Sequence, residues 1–209
     1  MLNAHTQISL ITGPAGALEC AVDDPAGAPR AVAVIAHPHP VQGGTMDNKV
    51  VHTLARACVQ AGVRSVRFNF RGVGRSQGQW DEGRGEVDDM LAVIGAFADE
   101  PQLSLQLCGF SFGGFVAAQA YNRCLSRPRL EPPILVAPAV GRFATGTVPQ
   151  ESLVLHGEVD DVVPLSQVLD WARPVTLPVV VVPGVGHFFH GQLPVLKLRV
   201  LERLAARLA

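Results

Sequence analysis

The sequence predicts an α/β fold in which helices cover both faces of a mostly parallel central sheet. Short apolar runs of strand length alternate along the chain with segments whose apolar residues recur at helical spacing. This alternation is typical of a parallel sheet, whose buried strands read as nearly continuous apolar runs. At 209 residues, 48% of them apolar and 17% charged, the chain is long enough for one well-buried core and short for two domains. We therefore expect a single domain over residues 1–209.

The first third of the chain predicts a hairpin, a strand and a helix. I-S-L-I-T and A-L-E-C-A-V, separated by G-P-A-G, predict a starting antiparallel hairpin over residues 8–22. A-V-A-V-I-A-H, residues 31–37, has the length of one buried strand. Apolar residues at helical spacing predict a helix over residues 46–61, which Gly62 would end.

The middle third predicts two strands, each followed by a helix. R-S-V-R-F-N-F, residues 64–70, leads into the loop R-G-V-G-R-S-Q-G, and a helix is predicted over residues 85–99. L-S-L-Q-L-C, residues 103–108, precedes a helix of small residues over 115–122. Both strands alternate polar and apolar residues. A partly wet sheet face and buried sites for polar pairs both explain this alternation.

The last third predicts three strands and two helices. The strands are P-I-L-V-A, S-L-V-L-H and V-V-V-V-P, residues 133–137, 152–156 and 179–183. A helix from about Pro164 lies between the last two strands. A closing amphipathic helix carries its apolar residues at Leu196, Val200, Leu201, Leu204 and Leu208.

Composition and charge indicate which classes of partner and which cellular compartment to expect. Lys plus Arg is 17 and Asp plus Glu is 18, with no basic stripe, so a nucleic-acid partner is not expected. No apolar run approaches the ~20 residues that cross a membrane, and M-L-N-A-H-T-Q lacks the layout of a secretory signal. The apolar composition leaves a homodimer open. Four cysteines without C-x-x-C spacing predict reduced core thiols in a cytoplasmic protein: Cys20, Cys58, Cys108 and Cys124.

One serine stands where a nucleophile would be held. Ser111 lies between a predicted strand and a predicted helix, inside G-F-S-F-G, residues 109–113, which matches the nucleophile elbow G-x-S-x-G. Such a serine needs a tight turn with unfavourable φ and ψ, and neighbouring glycines relieve the crowding. The N–H groups of the helix that follows point at an anion forming near Oγ. The alternative is an ordinary turn, since Ser and Gly favour turns.

A serine nucleophile needs a base and an acid that orients the base. The segment V-L-H-G-E-V-D-D-V-V-P places Glu158, Asp160 and Asp161 directly after a strand. Helix capping is the alternative role for these acids, and Asp161 is the best placed for it. His187 follows the last strand, in V-V-V-V-P-G-V-G-H-F-F-H-G, where the alternative is a side chain merely packed between aromatic neighbours.

The oxyanion that forms during such a reaction needs backbone N–H donors. One is expected from Phe112, the residue after the serine. The other is expected from the loop A-H-P-H-P-V-Q-G-G, where Pro38 and Pro40 have no N–H and His39 therefore becomes the donor. The prolines would also keep this loop stiff.

With these motifs the chain resembles the α/β-hydrolase superfamily, and within it the small bacterial serine hydrolases akin to dienelactone hydrolases and related esterases. H-P-H-P, R-G-V-G-R-S, G-F-S-F-G-G and H-G-x-x-D occur in order from about Ala31 to the C-terminus. The resemblance implies a Ser–His–Asp triad of Ser111, His187 and Asp160 that cleaves small-molecule esters through an acyl-enzyme, without cofactor or metal. Dienelactone hydrolases proper use a cysteine nucleophile, so their substrate is not carried over.

The resemblance also marks an absence and leaves the leaving group open. Many relatives insert a helical cap after the strand that matches P-I-L-V-A, whereas the next strand follows here after a short segment. We therefore expect no cap domain, and we expect loops to cover the site, with residues 77–85 and Trp80 as candidates. Thioesterase or peptidase-type chemistry would use the same triad.

Two readings compete with a hydrolase. His37, His39, His187 and His190 could converge as ligands of zinc or copper, and a fold can also serve as an inactive binding scaffold. The order of nucleophile, acid and base at strand ends favours the enzyme. R-G-V-G-R-S fits neither a P-loop nor a dinucleotide-binding pattern.

Overall fold

A computed structural model describes residues 6–207 of the chain. The strands are β1 Gln7–Gly13, β2 Gly16–Asp23, β3 Ala31–Ala36, β4 Val63–Phe68, β5 Ser104–Phe110, β6 Leu130–Val136, β7 Leu153–Gly157 and β8 Val179–Val182. The helices are α1 Lys49–Gln60, α2 Arg84–Phe97, α3 Phe112–Arg123, α4 Leu165–Ala172 and α5 Leu193–Arg207. Residues 1–5 of the segment considered for a signal, and Leu208, lie outside the described residues.

All eight strands form one sheet in the order β1-β2-β4-β3-β5-β6-β7-β8. β1 pairs antiparallel with β2, and β2 with β4, whereas every pair from β4 to β8 is parallel. The predicted mostly parallel sheet with a starting antiparallel hairpin is therefore confirmed.

The core lies in two layers, one on each face of the sheet. Along β3, Val32 and Val34 join the layer formed with α2, α3 and α4, whereas Ala33 and Ile35 join the layer formed with α1 and α5. Successive side chains of a strand point to opposite faces. A strand that is apolar at every position therefore requires helices on both faces.

The polar residues that alternate along two central strands are buried, so the alternative of a wet sheet face is wrong. Arg67, Asn69 and Gln106 are also hydrogen-bonded, whereas the buried hydroxyl of Ser65 has no partner within residues 6–207. Arg67 is 1% exposed, and its guanidinium donates to an oxygen of Asp23 at 3.0 Å. The amide of Asn69 donates to Glu19 at 2.8 Å, and Gln106 donates to two main-chain carbonyls. These partners supply the hydrogen bonds that buried polar groups need.

The carboxyl ends of the parallel strands gather their loops at one edge of the sheet, where open α/β sheets bind ligands. The connection from β6 to β7, residues 137–152, contains no helix, which agrees with the predicted absence of a cap. No helix within residues 6–207 has both the length and the apolar character that crossing a bilayer demands.

Candidate active site

Ser111 occupies a strained turn between β5 and α3. Its φ is 56° and its ψ is −118°, a conformation that is costly for a residue with a side chain. The Ser111 N–H donates to the carbonyl of Val136 at 2.9 Å, and its carbonyl accepts from Gly114 and Ala139 at 2.9 and 3.1 Å. Hydrogen bonds to neighbouring backbone thus hold both the N–H and the carbonyl of Ser111 and keep this residue in its strained conformation.

The glycines around Ser111 are required by close backbone contacts. A Cβ on Gly109 would overlap the carbonyl of Gly113, and a Cβ on Gly113 would overlap the carbonyl of Ala36 at the end of β3. A side chain at either position would push the elbow out of the sheet. The G-x-S-x-G spacing therefore reflects packing that only glycine allows.

Asp160 and His187 form a buried pair beside Ser111. The Nδ1 of His187 lies 2.7 Å from the Oδ2 of Asp160, and the two residues are 3% and 6% exposed. The Oδ1 of Asp160 accepts hydrogen bonds from the backbone N–H groups of Val162 and Val163 at 2.9 and 2.7 Å. Burial alone would raise the pKa of Asp160. The hydrogen bonds from His187 and from the two N–H groups outweigh burial, and the pKa lies below its ordinary value.

His156, at the end of β7, is a second histidine beside this carboxylate. Its Nε2 lies 2.9 Å from the carbonyl of Val163 and 3.5 Å from the Oδ2 of Asp160, so Nε2 carries the proton. The buried Nδ1 of His156 has no hydrogen-bond partner among the described residues, and burial lowers the pKa of the ring, which keeps it neutral. In the sequence, His156 is the first residue of the H-G-x-x-D motif, and it was not predicted to be a site residue. Its spacing of four residues from Asp160 was the available signal.

The other two acids of this loop face solvent. An oxygen of Glu158 accepts from the N–H of Gly184 at 2.8 Å, which ties the β7 loop to the β8 loop. The carboxylate of Asp161 makes no hydrogen bond within residues 6–207. The expectation that Asp161 caps the next helix is wrong, because α4 begins at Leu165 without a side-chain cap. The adjacent backbone N–H groups are bonded instead to Asp160.

Ser111 lies where two clefts meet. The arginine cleft, about 380 Å³ including space open to solvent, is lined beside Ser111 by Arg142, Phe143 and Gln167. The histidine cleft, about 470 Å³ on the same measure, is lined beside Ser111 by Asn48, His187 and Phe188. His39 and Gln42 border both clefts. Among the described residues that line either cleft, none is an aspartate or a glutamate.

The two expected oxyanion donors both border the arginine cleft, and His39 borders the histidine cleft as well. Phe112 is the first residue of α3, so its N–H has no acceptor within the helix. His39 follows β3 and precedes a short 3-10 turn, Pro40–Gln42. Both residues line the arginine cleft together with Ser111.

Trp80 packs against two residues that line the site. Its ring centroid lies 4.6 Å from that of His39 and 5.1 Å from that of Phe112. Trp80 itself lines neither cleft, and Gly83 of the same segment packs against Phe112 and Phe115.

The four histidines considered as metal ligands do not converge. His37 is fully buried, its Nε2 accepts from the N–H of Phe70 at 3.1 Å, and its Nδ1 donates to the carbonyl of Pro38 at 2.6 Å. His190 is exposed, and its ring lies against Phe188. Within residues 6–207, no three His, Cys, Asp or Glu side chains are grouped so that they could hold a metal ion.

The R-G-V-G-R-S loop contributes to the structure through its side-chain hydrogen bonds. The guanidinium of Arg71 donates to both carboxylate oxygens of the fully buried Asp89 and to the carbonyl of Gly85. The hydroxyl of Ser76 donates to the carbonyl of Asn69 at 2.7 Å. The loop is thereby fixed to α2 and to the end of β4.

Comparison with known proteins gives consistent relatives. The family model described as serine aminopeptidase, S33, matches residues 27–170. An alpha-beta serine hydrolase homologue from Coxiella burnetii is 41% identical, with a TM-score of 0.85 over 98% of each chain. An α/β serine hydrolase without lid from Xanthomonas campestris is 34% identical, with a TM-score of 0.88 over 99% of this chain and 96% of that one. An uncharacterized protein from Rickettsia prowazekii is 31% identical over an alignment of 192 positions, and the match covers 85% of this chain and 79% of that protein.

Proposed function

This chain belongs to the serine aminopeptidase S33 family of α/β hydrolases, and we propose that it hydrolyses small carboxylic esters with a triad of Ser111, His187 and Asp160. One observation carries the proposal. Ser111, held at positive φ, shares a cleft with His187, whose Nδ1 is hydrogen-bonded to buried Asp160. A strained serine beside an oriented imidazole is the arrangement that nucleophilic acyl transfer needs.

The chemistry follows from the protonation of this pair. Asp160 accepts the Nδ1–H of His187, which leaves the Nε2 lone pair as the base. The Oγ of Ser111 attacks the ester carbonyl as its proton passes to Nε2, and the N–H groups of Phe112 and His39 stabilise the oxyanion. The imidazolium then donates its proton to the leaving alcohol oxygen, so that the C–O bond breaks and an acyl-serine remains. A water molecule then attacks the acyl carbonyl as its proton passes to Nε2. The imidazolium returns that proton to the Oγ of Ser111 as the bond between Oγ and the acyl carbon breaks, which releases the carboxylic acid and restores the serine.

The charge of the two clefts favours esters over aminopeptidase substrates. A free amino terminus is a cation and would need a carboxylate to bind it. Among the described residues lining the clefts, the charged side chain is Arg142, which repels a cation. Thioesters present the same carbonyl without an ammonium group and are the second substrate class to test.

Covalent labelling tests the nucleophile. A fluorophosphonate probe should modify the wild-type protein at the peptide that contains Ser111, and Ser111→Ala should abolish both labelling and turnover of p-nitrophenyl acetate. Loss of a triad member costs about 10⁴–10⁶ in kcat. Ser166→Ala, on the exposed side of α4, is the matched control and should label like wild type. Labelling that persists in Ser111→Ala would overturn the proposal.

A substrate panel tests the bond that is cleaved. The wild-type protein is assayed with p-nitrophenyl acetate, an acetyl thioester and alanine p-nitroanilide. We expect the ester to be cleaved with the highest kcat/KM. Preference for the anilide would identify an aminopeptidase and contradict an esterase.

A further inference from the structure

We propose that the arginine cleft holds the acyl part of the substrate and that Arg142 selects acyl groups carrying a carboxylate at their distal end. The substrate class would be half-esters of short dicarboxylic acids. This inference rests on the proposed function, because it places the substrate around Ser111.

The positions of the two clefts assign the two halves of an ester. His187 must protonate the leaving oxygen, so the alcohol part has to lie on the side of that imidazole. His187 lines the histidine cleft and does not line the arginine cleft. The acyl part, bonded to Ser111 in the intermediate, then extends the other way, into the arginine cleft.

The arginine cleft is suited to an anion. Arg142 is its one charged lining residue within the described part of the chain. Its guanidinium forms no ion pair within residues 6–207, whereas Arg71, Arg84 and Arg123 each pair with an aspartate. A guanidinium without a carboxylate partner can bind the planar carboxylate of a ligand through two parallel hydrogen bonds.

Polar and apolar neighbours of Arg142 complete this cleft. The side-chain amides of Gln42 and Gln167 border it, and within residues 6–207 neither makes a hydrogen bond. The rings of Phe112 and Phe143, whose centroids lie 5.1 Å apart, form an apolar wall close to Ser111. An acyl group with a few methylenes next to the carbonyl and a carboxylate beyond them would place the methylenes on the apolar wall and the carboxylate at Arg142.

A matched pair of substrates tests the selection. Mono-p-nitrophenyl glutarate carries the distal carboxylate, and methyl p-nitrophenyl glutarate is the same ester with that carboxylate masked. For wild type, kcat/KM should be about fivefold or more higher for the anionic ester, as expected for a partly exposed ion pair. The preference should shrink as NaCl is added, because salt screens exposed charges. Reactions with Ser111→Ala provide the blank for spontaneous hydrolysis of the half-ester.

Variants separate Arg142 from the overall charge of the protein. In Arg142→Gln the ratio of the two kcat/KM values should fall to about one, with the change mainly in KM, and Arg142→Lys should keep part of the preference. Arg129→Gln removes an exposed arginine that precedes β6, at the opposite edge of the sheet, and should keep the wild-type ratio.

The possible failures are distinguishable. Hydrolysis of both esters without a preference, or a preference that survives Arg142→Gln, would overturn the assignment of Arg142 and leave the esterase intact. Failure to hydrolyse either ester would overturn the proposed function itself.

Discussion

The Nδ1 of His187 lies 2.7 Å from the Oδ2 of Asp160, although 27 positions separate the two residues in the chain. β7 and β8 are parallel neighbours, so the loops that follow them meet at the same edge of the sheet. The hydrogen bond from Gly184 to Glu158 joins the same two loops. The pairing of the acid with the imidazole is thus a product of strand order.

Asparagine in place of Asp160 should nearly abolish turnover. The amide cannot stabilise an imidazolium, and its NH₂ group can force the wrong tautomer on His187, which typically costs about 10⁴ in kcat. Asp161→Asn and Glu158→Gln change exposed carboxylates and should stay near wild type. Steady-state kinetics of the three purified variants check this. Collapse in Asp161→Asn with an active Asp160→Asn would show that the acid is wrongly assigned.

Activity should fall at acid pH because the base must be neutral. Free imidazole takes up a proton near pH ~6.5, whereas the lowered pKa of Asp160 keeps that carboxylate ionised in this range. A kcat/KM profile from pH 5 to 8 measures this loss of activity. His187→Ala should be inactive, and His190→Ala, at an exposed position, should keep the wild-type profile. A flat profile, or the opposite behaviour of the two variants, would contradict the assignment.

Buried His37 should make folding stability depend on acid. Burial lowers its pKa from 6.5 to about 4, so below pH 6.5 the unfolded chain binds a proton that the folded chain refuses. Stability is therefore complete above pH 6.5 and is lost as the pH falls towards 4, by about 3 kcal/mol from this residue. Urea unfolding at pH 7 and pH 5 measures the loss.

A variant isolates the contribution of His37. His37→Gln should be less stable at pH 7 but should lose less on acidification, while His190→Gln, an exposed control, should follow wild type. His156 also has a pKa lowered by burial, so part of the pH dependence should remain in His37→Gln. Equal slopes for wild type and His37→Gln would refute this explanation.

The value of kcat/KM should decline once the acyl chain exceeds a short length. The chain between β6 and β7 forms no helix that could sheathe a tail, and the arginine cleft ends in a cation. Each methylene adds about 0.8 kcal/mol of binding only where a wall buries it. In a series of p-nitrophenyl esters, kcat/KM should peak at short acyl groups and then decline. A steady rise to long chains would reveal an apolar channel.

The four thiols should differ in reactivity. Cys20, Cys58 and Cys108 are buried and Cys124 is half-buried, and all are free. Burial raises the pKa of Cys20 to about 12, and a hydrogen bond with Cys58 together with burial raises that of Cys108. Because the thiolate is the reactive form, an aromatic disulfide reagent should modify Cys124 in the native protein and the others only after unfolding. Cys124→Ser should remove the native-state reaction, and fast native reaction of a second thiol would contradict the buried core.

The sequence predicted what depends on local geometry. The glycines beside Ser111 are required by contacts within a few residues or with the adjacent β3, so the elbow leaves a readable spacing. The alternation of strands and helices is also a local pattern, and it predicted the helices on both faces of the sheet. The catalytic roles of Ser111, Asp160 and His187 stay predictions until they are tested.

What the sequence did not reveal depends on distant partners. The partner of Arg67 is Asp23, 44 positions away, and no spacing rule identifies it. The same holds for Arg142, which has no acidic partner within residues 6–207, a fact that becomes visible only when the loops are brought together. Asp161 was expected to cap α4 from its position alone, but adjacent Asp160 is turned inward and takes the available N–H groups.

The outer strand β8 has a consequence for self-association. It ends the sheet, spans four valines, and is bounded by Pro178 and Pro183, which have no N–H to offer another strand. An apolar sheet edge is ordinarily a template on which a further copy of the chain can add its own strand and start an aggregate. Here the two prolines confine that template to a length too short for stable addition, so the valine-rich edge can remain open to water at high protein concentration.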